Sequence, residues 1–241
     1  PNGGNKGVVV AEGKVFFGRR DNVLVALDQE TGEVVWQTQL PKERGAYVSA
    51  SAVYHDGLVY IGTSGGDGGA RGQMGAYDAK TGKEVWKFYT IPGVDDRFVE
   101  TWEGDSYKNG GGGIWVSPTV DPDLGMIYMS VGNIGLRQYG AADQNPDFRD
   151  EGQRGFDNLF TGAILALDLK TGAYRWHFQQ VRHDIWHYDA GGPSVLDDIT
   201  YQGRLRKILM NPGKTGYLYI LDRTDGTPLI GIEERPVTQE P

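Results

Sequence analysis

The segment RHDIWHYDAG concentrates side chains that can move protons or bind a metal. It contains His183 and His187 together with Asp184 and Asp189. A histidine side chain has a pKa of about 6.5 in model peptides, so it can exchange protons near neutral pH, and carboxylates are ligands for hard cations. The segment is compatible with a catalytic cluster, a metal site or a packed turn. We expect His183, Asp184 and Trp186 to hold the turn together.

The composition is that of a globular chain with an excess of acidic residues. Of 241 residues, 39% are hydrophobic, which is enough for one large core, and we predict a single domain over residues 1–241. The 32 acidic and 24 basic residues give a net charge of −8, which makes nucleic acid an unexpected partner. The absence of cysteine excludes disulfides, thiolate metal sites and cysteine nucleophiles. No apolar run reaches the roughly 18 to 20 residues of a membrane helix.

One phrase recurs along the chain and predicts its architecture. The pattern A-x-D-x-x-T-G-x-x-x-W appears at 26–36, 76–86 and 166–176, and a fourth copy at 220–230 lacks the tryptophan. Asp can accept hydrogen bonds from its own turn and Gly tolerates a positive φ, so each copy predicts two strands joined by a tight turn. A period near 50 residues with several short strands per unit is typical of β-propeller blades.

The sequence therefore predicts an all-β fold, a β-propeller with four to five blades in this chain. The long interval between the second and third copies predicts a degenerate copy at 117–132, with its turn at Asp121. Trp36, Trp86 and Trp176 occupy the same place in each complete copy. Such regular recurrence favours packing between neighbouring blades over ligand binding.

Three further motifs are better explained as turns or loops. NPGKTGYL contains Gly-Lys-Thr, but Ile208 stands where a phosphate-binding loop needs its first glycine. DPDLG has only the first acidic pair of a calcium-binding loop. The glycine runs GGDGGARG and GGGGIW precede no predicted helix, so they are either flexible loops or places where backbone approaches a flat ligand.

The order of the motifs resembles one protein family, the pyrroloquinoline quinone (PQQ) dependent alcohol and glucose dehydrogenases. The motifs that follow one another in the family's order are the repeated phrase, GGDGGARGQMGAYDAKTG, GGGIWVSPTVDPDLGMIYMSVGN, HDIWHYDAG and NPGKTGYLYILDRTDG. The resemblance covers nearly the whole chain, from NKGVVVAEGKVFFG to IEERPV. It implies an eight-bladed propeller of four-stranded, W-shaped blades, of which this chain would form about half.

The resemblance implies a binding site for PQQ. Trp115 matches the indole on which the quinone ring stacks, and a flat apolar floor suits a planar cofactor. The other matching positions are Lys6, Ser49, Ser64, Gly65 and Gly66. The serines would hydrogen-bond the cofactor's carboxylates, the lysine would lie near them, and the glycines would let backbone come close.

The resemblance also implies a metal ion and a cationic side chain beside the quinone. Asp67 matches a carboxylate ligand and Asn133 matches an amide-oxygen ligand. Oxygen donors suit Ca²⁺ or a lanthanide, which would polarise the quinone carbonyl as a Lewis acid. Lys214 matches the cation that bonds the quinone oxygens and would act as a mobile point charge.

The segment HDIWHYDAG departs from the family at its catalytic position. The family reads His-Asp-x-Trp-Asp, and its second Asp is the general base that takes the alcohol proton, but here that position is His187. Asp189 matches an additional acidic metal ligand of the lanthanide-using members, and in a strand it would point the same way as His187. Three interpretations stay open: His187 is the base or a metal ligand, Asp189 is the base or a ligand, or catalysis is lost.

These matches predict a quinoprotein dehydrogenase that oxidises an alcohol or sugar hydroxyl by hydride transfer to PQQ. The resemblance implies a periplasmic location and a cytochrome c or membrane quinone as electron acceptor. The alternatives are a non-catalytic propeller that serves as a binding or assembly scaffold, and a PQQ-binding protein without turnover.

The beginning of the chain bears on one further family feature. Many alcohol dehydrogenases carry a ring formed by two adjacent cysteines just before the segment that matches NKGVVV, and here that place falls near Pro1. We expect the ring to be absent or to lie in preceding residues, because we expect the chain to be a processed product or a piece of a longer one.

Overall fold

The computed structural model describes residues 5–135, 156–184 and 186–235, which form four antiparallel β-sheets. Pro1, and with it the place of the cysteine ring, lies outside the described residues. Among the described residues the only helical elements are short 3₁₀ turns, so the all-β prediction is confirmed. None of the helical turns in the described ranges has the length or apolar character of a membrane-crossing helix.

Each sheet is a meander of strands in chain order, and we call the four sheets blades 1 to 4. Blade 1 consists of β1 (Val9–Ala11), β2 (Lys14–Gly18), β3 (Val23–Asp28) and β4 (Val34–Gln39). Blade 2 consists of β5 (Val53–His55), β6 (Leu58–Gly62), β7 (Gln73–Asp78) and β8 (Glu84–Tyr89). Blade 3 consists of β9 (Thr119–Asp121), β10 (Met126–Ser130), β11 (Ala163–Asp168) and β12 (Tyr174–Gln179). Blade 4 consists of β13 (Val195–Tyr201), β14 (Arg204–Pro212) and β15 (Leu218–Asp222).

The middle strands of the blades are apolar because they are covered on both faces. Strands β7 and β11 are buried along all but their last residue. Blades 2 and 3 pack together through one apolar cluster that includes Met74, Ile127 and Leu165. The core therefore lies between blades, and each blade is stabilised by its neighbours.

The repeated phrase forms the turn between the third and fourth strands, as predicted. In blade 3, Oδ1 of Asp168 accepts hydrogen bonds from the backbone N–H of Lys170 (3.1 Å) and of Thr171 (2.9 Å) and from the Thr171 hydroxyl (2.8 Å). Asp28 and Asp78 make the same three bonds in blades 1 and 2. The sequence pattern thus encodes a self-bonded turn.

The recurring tryptophans join neighbouring blades, which confirms their predicted role. Each indole N–H donates to the carbonyl of the residue that follows the turn aspartate of the next blade. These pairs are Trp36 with Ala79 (3.1 Å), Trp86 with Leu169 (3.1 Å) and Trp176 with Arg223 (3.2 Å). The turn glycine of the next blade lies against the same indole, and a Cβ added there would approach the ring to 2.5–2.6 Å at Gly82, Gly172 and Gly226. Glycine is thus required by the contact as well as by its positive φ.

The predicted degenerate copy at 117–132 is wrong as a separate unit. These residues contain β9 and β10, the first hairpin of blade 3, and Asp121 begins the turn between them. The third copy of the phrase supplies the other two strands of the same blade. The long interval arises from the long connections at 90–118 and 131–162. The prediction failed because Asp and Gly favour a tight turn in any hairpin and not only in the repeated one.

Blade 4 differs from the four-stranded prediction. Ile230 stands where the other blades have tryptophan, and Pro228 follows the turn. After the turn, only an isolated bridge from Pro228 to Leu221 continues the sheet in the part of the chain described up to 235. Proline lacks the N–H that a ladder needs, which accounts for the interruption.

A second donor reinforces the indole contacts of blades 2 and 3. The hydroxyl of Tyr60 donates to the same Leu169 carbonyl as Trp86 (3.3 Å), and Tyr128 joins Trp176 on the carbonyl of Arg223 (2.8 Å). In blade 1 the equivalent side chain on the second strand is Phe16, which carries no hydroxyl.

We expect Tyr60→Phe to lower the free energy of unfolding by about 1 kcal/mol, because the substitution removes the hydrogen bond to the Leu169 carbonyl and keeps the ring. Urea denaturation of the two proteins measures the difference. Tyr217→Phe, at a side chain that is 71% exposed, is the control and is expected to change stability little. Equal stability of Tyr60→Phe and the unaltered chain contradicts the shared-carbonyl contact.

The turn aspartates predict acid sensitivity. Burial raises the pKa of Asp168, but hydrogen bonds from Arg175 and Thr171 outweigh it and hold the pKa at about 2. Because the folded pKa lies below the unfolded value near 3.8, the stabilisation is complete above that value and is lost as the pH falls towards about 2. Asparagine cannot be protonated in this range, so we expect the Asp168→Asn variant to lose less stability than the unaltered chain as the pH falls from about 4 to about 2. Thermal unfolding at each pH measures the difference. Parallel pH profiles refute the assignment.

Candidate functional site

The predicted site residues lie at one end of the blades. In a meander, the connection between the second and third strands and the connection to the next blade meet at the same end. The site residues in connections between blades are Ser49, Trp115, His187 and Asp189, and those in connections between second and third strands are Ser64, Asp67, Asn133 and Lys214. Strand order therefore gathers residues from all four blades, while the repeated turns lie at the opposite end.

Trp115 forms a half-buried aromatic surface, and two lysines from distant parts of the chain lie beside it. Lys6 Nζ lies 4.1 Å from the centre of the indole ring and donates to the Trp115 carbonyl at 2.7 Å. Lys214 Nζ lies 5.7 Å from the same ring. Burial lowers the pKa of Lys6. Two ammonium groups beside one indole favour a planar ligand that carries negative charge.

The matched serines lie beside this surface. The Ser49 and Ser64 hydroxyls are buried and hydrogen-bonded to each other at 2.7 Å. The backbone N–H of Lys6 donates to the Ser49 carbonyl at 3.0 Å, which ties the lysine to the pair. Lys6, Ser49, Ser64 and Trp115 thus form one continuous patch.

The two glycine runs pack against each other. A methyl group added at Gly72 would lie 2.0 Å from the carbonyl oxygen of Gly112, and one at Gly66 would lie 3.1 Å from backbone atoms of Gly111. One added at Gly65 would lie 2.2 Å from the carbonyl oxygen of Gly45. These approaches join backbone to backbone, so the runs are not flexible loops, and the glycines have a packing role beside their predicted approach to a flat ligand. They lock the loop that carries Asp67 onto the segment that leads to Trp115.

Asp189 is the centre of a polar cluster next to Trp115. Its side chain is 3% exposed, its Oδ1 accepts the backbone N–H of Asn133 at 2.7 Å, and its Oδ2 accepts Lys214 Nζ at 2.7 Å. His187 Nε2 lies 3.7 Å from Asp189 Oδ2 and 3.8 Å from Asp67 Oδ1. The Asn133 side-chain amide donates to Asp67 Oδ1 at 3.0 Å. All five predicted side chains therefore meet at one place.

The expectation that His187 and Asp189 point the same way because they lie in one strand is wrong. Residues 186–190 form no strand, and His187 has a left-handed backbone with φ of +68°. Their side chains approach each other because the backbone turns at His187, a conformation that histidine tolerates better than most residues.

His183 and Asp184 hold this turn, as expected. Asp184 is fully buried, and its Oδ1 accepts the backbone N–H of Trp186 at 2.9 Å. Burial raises the Asp184 pKa, although backbone N–H groups at Trp186 and Tyr188 oppose the shift. His183 Nδ1 is hydrogen-bonded to Asn158 Oδ1 at 2.6 Å. Trp186 contributes its backbone, whereas its ring is 36% exposed beside Tyr188.

Similarity to known proteins agrees with this site. Residues 43–241 match the family model described as PQQ, glucose/ethanol/alcohol dehydrogenase, beta-propeller domain. The chain belongs to this PQQ-dependent dehydrogenase family. The blades are accordingly blades of a PQQ-domain β-propeller, of which the chain forms part of the ring.

Individual relatives support the same assignment. The chain is 37% identical to quinohemoprotein alcohol dehydrogenase ADH-IIG of Pseudomonas putida over 92% of its own length and 32% of the relative's length. It superposes on the crystal structure of quinohemoprotein alcohol dehydrogenase from Comamonas testosteroni with a TM-score of 0.84 and 34% identity, covering 97% of this chain and 36% of that one. For a europium-containing methanol dehydrogenase the TM-score is 0.82 at 29% identity, with 95% of this chain and 42% of that chain covered. The chain spans about a third of the length of the curated relatives that it matches.

The oxygen donors of this cluster are of the kind that binds a hard cation. Two carboxylates, Asp67 and Asp189, and the amide of Asn133 offer oxygen atoms of the type that Ca²⁺ and lanthanides take. Across the described ranges, no three histidine, cysteine or acidic side chains close around one point by themselves. Lys214 already pairs with Asp189, so a cation would be held by Asp67 and Asn133 and would share Asp189 with the lysine.

Sequence reasoning missed the polar residues beneath the cluster. Asn211 is fully buried and hydrogen-bonds Ser130, Ser194, Gly192 and Gln180. The available signal was an asparagine in the otherwise apolar run ILMNP, since a buried amide is retained where partners satisfy it.

We expect Gly72→Ala to destabilise the chain by about 2 kcal/mol and to shift Trp115 fluorescence, because the added methyl group must push the 110–113 segment away. Gly68→Ala is a control in the same loop, since its added carbon would meet its nearest atom at 3.9 Å. Denaturation curves and tryptophan emission spectra of both variants measure the two effects. Equal behaviour of the two variants rules out the proposed backbone contact.

Proposed function

We propose that this chain supplies the PQQ pocket and the proton-accepting side chain of an alcohol dehydrogenase. The single observation that carries the proposal is the meeting of Trp115, two lysines and the Asp67–Asn133–Asp189 cluster at one end of a PQQ-family propeller. The relatives named above are alcohol dehydrogenases, so an alcohol is the proposed substrate class. A sugar hydroxyl is the second substrate that the family description includes.

The aromatic patch fits PQQ, a planar quinone with several carboxylates that accepts two electrons. Trp115 would stack against the ring system, and Lys6 would face negative groups of the cofactor. One hydroxyl of the Ser49–Ser64 pair donates to the other, and the second hydroxyl can turn its hydrogen towards a carboxylate. Lys214, whose side chain is 40% exposed, would place its ammonium at a quinone oxygen.

Ca²⁺ or a lanthanide on Asp67, Asn133 and Asp189 would polarise the quinone carbonyl as a Lewis acid. The buried carboxylate of Asp189 keeps Lys214 near this place even before a cation binds, because it is hydrogen-bonded to the ammonium. The europium-containing relative supports a lanthanide as one of the two candidate ions.

His187 is the proposed acceptor of the alcohol proton. Its side chain is 41% exposed, so a substrate can reach Nε2. Asp189 is a weaker candidate for the base, because both of its oxygens already accept hydrogen bonds and its side chain is 3% exposed. His187 Nε2 lies 3.8 Å from Asp67 Oδ1 and 3.7 Å from Asp189 Oδ2, which places the imidazole inside the polar cluster where the alcohol would bind.

The cellular setting is part of the proposal. We propose a periplasmic enzyme that passes electrons to a cytochrome c or a membrane quinone, and the name quinohemoprotein of the Pseudomonas putida relative supports a haem-linked route. The scaffold alternative gives no reason for the lysines, Trp115 and the carboxylates to converge. PQQ binding without turnover remains the outcome to test.

The deciding experiment titrates the metal-free chain with PQQ, with and without Ca²⁺ or La³⁺, and follows tryptophan fluorescence. We expect saturable quenching that either ion strengthens and that Trp115→Ala abolishes, since the indole forms the stacking surface. Trp102→Phe, at a buried tryptophan in the connection between blades 2 and 3, is the matched control and should retain the quenching.

Turnover is tested on the same samples with an alcohol and an electron-accepting dye. We expect His187→Ala to reduce kcat by about 100-fold or more with little change in PQQ affinity. Absence of PQQ binding with both ions contradicts the enzyme assignment for this chain. PQQ binding without dye reduction supports a binding protein instead.

A further inference from the structure

A buried amide links the three chain segments that carry Asn133, Asp189 and Lys214. Asn211 Nδ2 lies within hydrogen-bond distance of Ser130 Oγ (3.0 Å), the Gly192 carbonyl (2.9 Å) and Ser194 Oγ (3.2 Å). Its Oδ1 accepts a hydrogen bond from Gln180 Nε2 at 2.8 Å. The Ser130 hydroxyl also donates to the Gly192 carbonyl. One fully buried side chain therefore joins blade 3, blade 4 and the connection between them.

The positions of these contacts relative to the site follow one rule. Ser130 precedes Asn133 by three residues, Gly192 follows Asp189 by three, and Asn211 precedes Lys214 by three. Each segment is thus fixed at the Asn211 side chain, and its functional residue lies three positions away along the chain. A spacer of only two residues leaves little freedom for independent movement.

The same three segments meet again at the site itself. Asp189 accepts the backbone N–H of Asn133 at 2.7 Å and the ammonium of Lys214 at 2.7 Å. The backbone N–H of Lys214 donates to the Asp189 carbonyl at 3.4 Å. The contacts at Asn211 and those at Asp189 are therefore two layers of one assembly. The layer at Asn211 is buried and uncharged.

We propose that Asn211 is a positioning residue, whose carboxamide fixes Asn133, Asp189 and Lys214 relative to one another and so aligns Lys214 with the PQQ pocket. The effect on PQQ rests on the proposed function, whereas the coupling of the three segments does not. Loss of the amide leaves the Gly192 carbonyl and two serine hydroxyls without their shared donor in a dry environment, so the segments separate or admit water. Asn211 touches no reacting group and acts through Lys214 and Asp189.

The first test needs no cofactor. We expect Asn211→Ala to speed hydrogen exchange at the backbone N–H groups of Asn133 and Lys214 by about tenfold, the factor that a loss of about 1.4 kcal/mol in local stability gives. The control is Asn22→Ala, which removes another buried asparagine, in the connection between β2 and β3 of blade 1, that donates to the Pro41 carbonyl at 2.7 Å. The control should leave exchange at both groups unchanged.

A milder variant protects the test against a folding failure. Ser194→Ala removes one of the three acceptors and should speed exchange at the same two groups by about threefold. If neither Asn211→Ala nor Ser194→Ala changes exchange at Asn133 and Lys214 beyond the Asn22→Ala control, the proposal is overturned.

The second test separates positioning from general stability by a double-mutant cycle. Asn211→Ala should weaken PQQ binding by about tenfold in the unaltered chain, followed by fluorescence, and by less than about threefold when Lys214→Ala is also present. A merely structural role predicts the same loss in both backgrounds, and that result overturns the role in aligning Lys214. If the unaltered chain does not bind PQQ, the proposed function fails, and hydrogen exchange alone then decides whether Asn211 couples the segments.

Discussion

The hydrogen bond from an indole to a carbonyl of the next blade is the contact on which the whole arrangement depends. No blade of this chain contains a complete site, because the functional side chains come from different blades and from the connections between them. Their mutual distances are therefore set by how blades dock. The same contact recurs at Trp36, Trp86 and Trp176, and each time the ring covers the turn glycine of the following blade. Fixed docking at one end of the blades makes an ordered site possible at the other end.

The buried charge at Asp189 is tolerable because its partners come from two different blades. A carboxylate that is 3% exposed is costly to bury without compensation, and here a backbone N–H and an ammonium provide it. Removing Lys214 or displacing Asn133 leaves that charge uncompensated. The compensation of this charge therefore depends on how blades 3 and 4 pack against each other.

Residue patterns predicted most of the fold, and the resemblance to the family supplied the candidate site residues. The repeated turn and its tryptophan are local signals, because the Asp, Thr and Gly that form the turn are adjacent in sequence. Asp121 misled the analysis since its turn uses the same chemistry at a different place in the blade. The backbone reversal at His187 and the role of Asn211 depend on partners from 17 to 81 residues away, which no local pattern encodes.

The two-residue spacers between the Asn211 contacts and the site residues bear on how this site can diversify. Substitution can alter the side chain at either end of a spacer without changing the number of residues between the two ends. Insertion or deletion of one residue within a spacer would rotate the functional side chain away from its neighbours, and no compensating shift exists in the other two segments. The exposed residues 94–97 between blades 2 and 3 lie outside these spacers and bear no such constraint on their length, because loop extension is thermodynamically inexpensive. Descendants of this chain can therefore change loop length around the proposed pocket, whereas the number of residues in the three spacers stays constant.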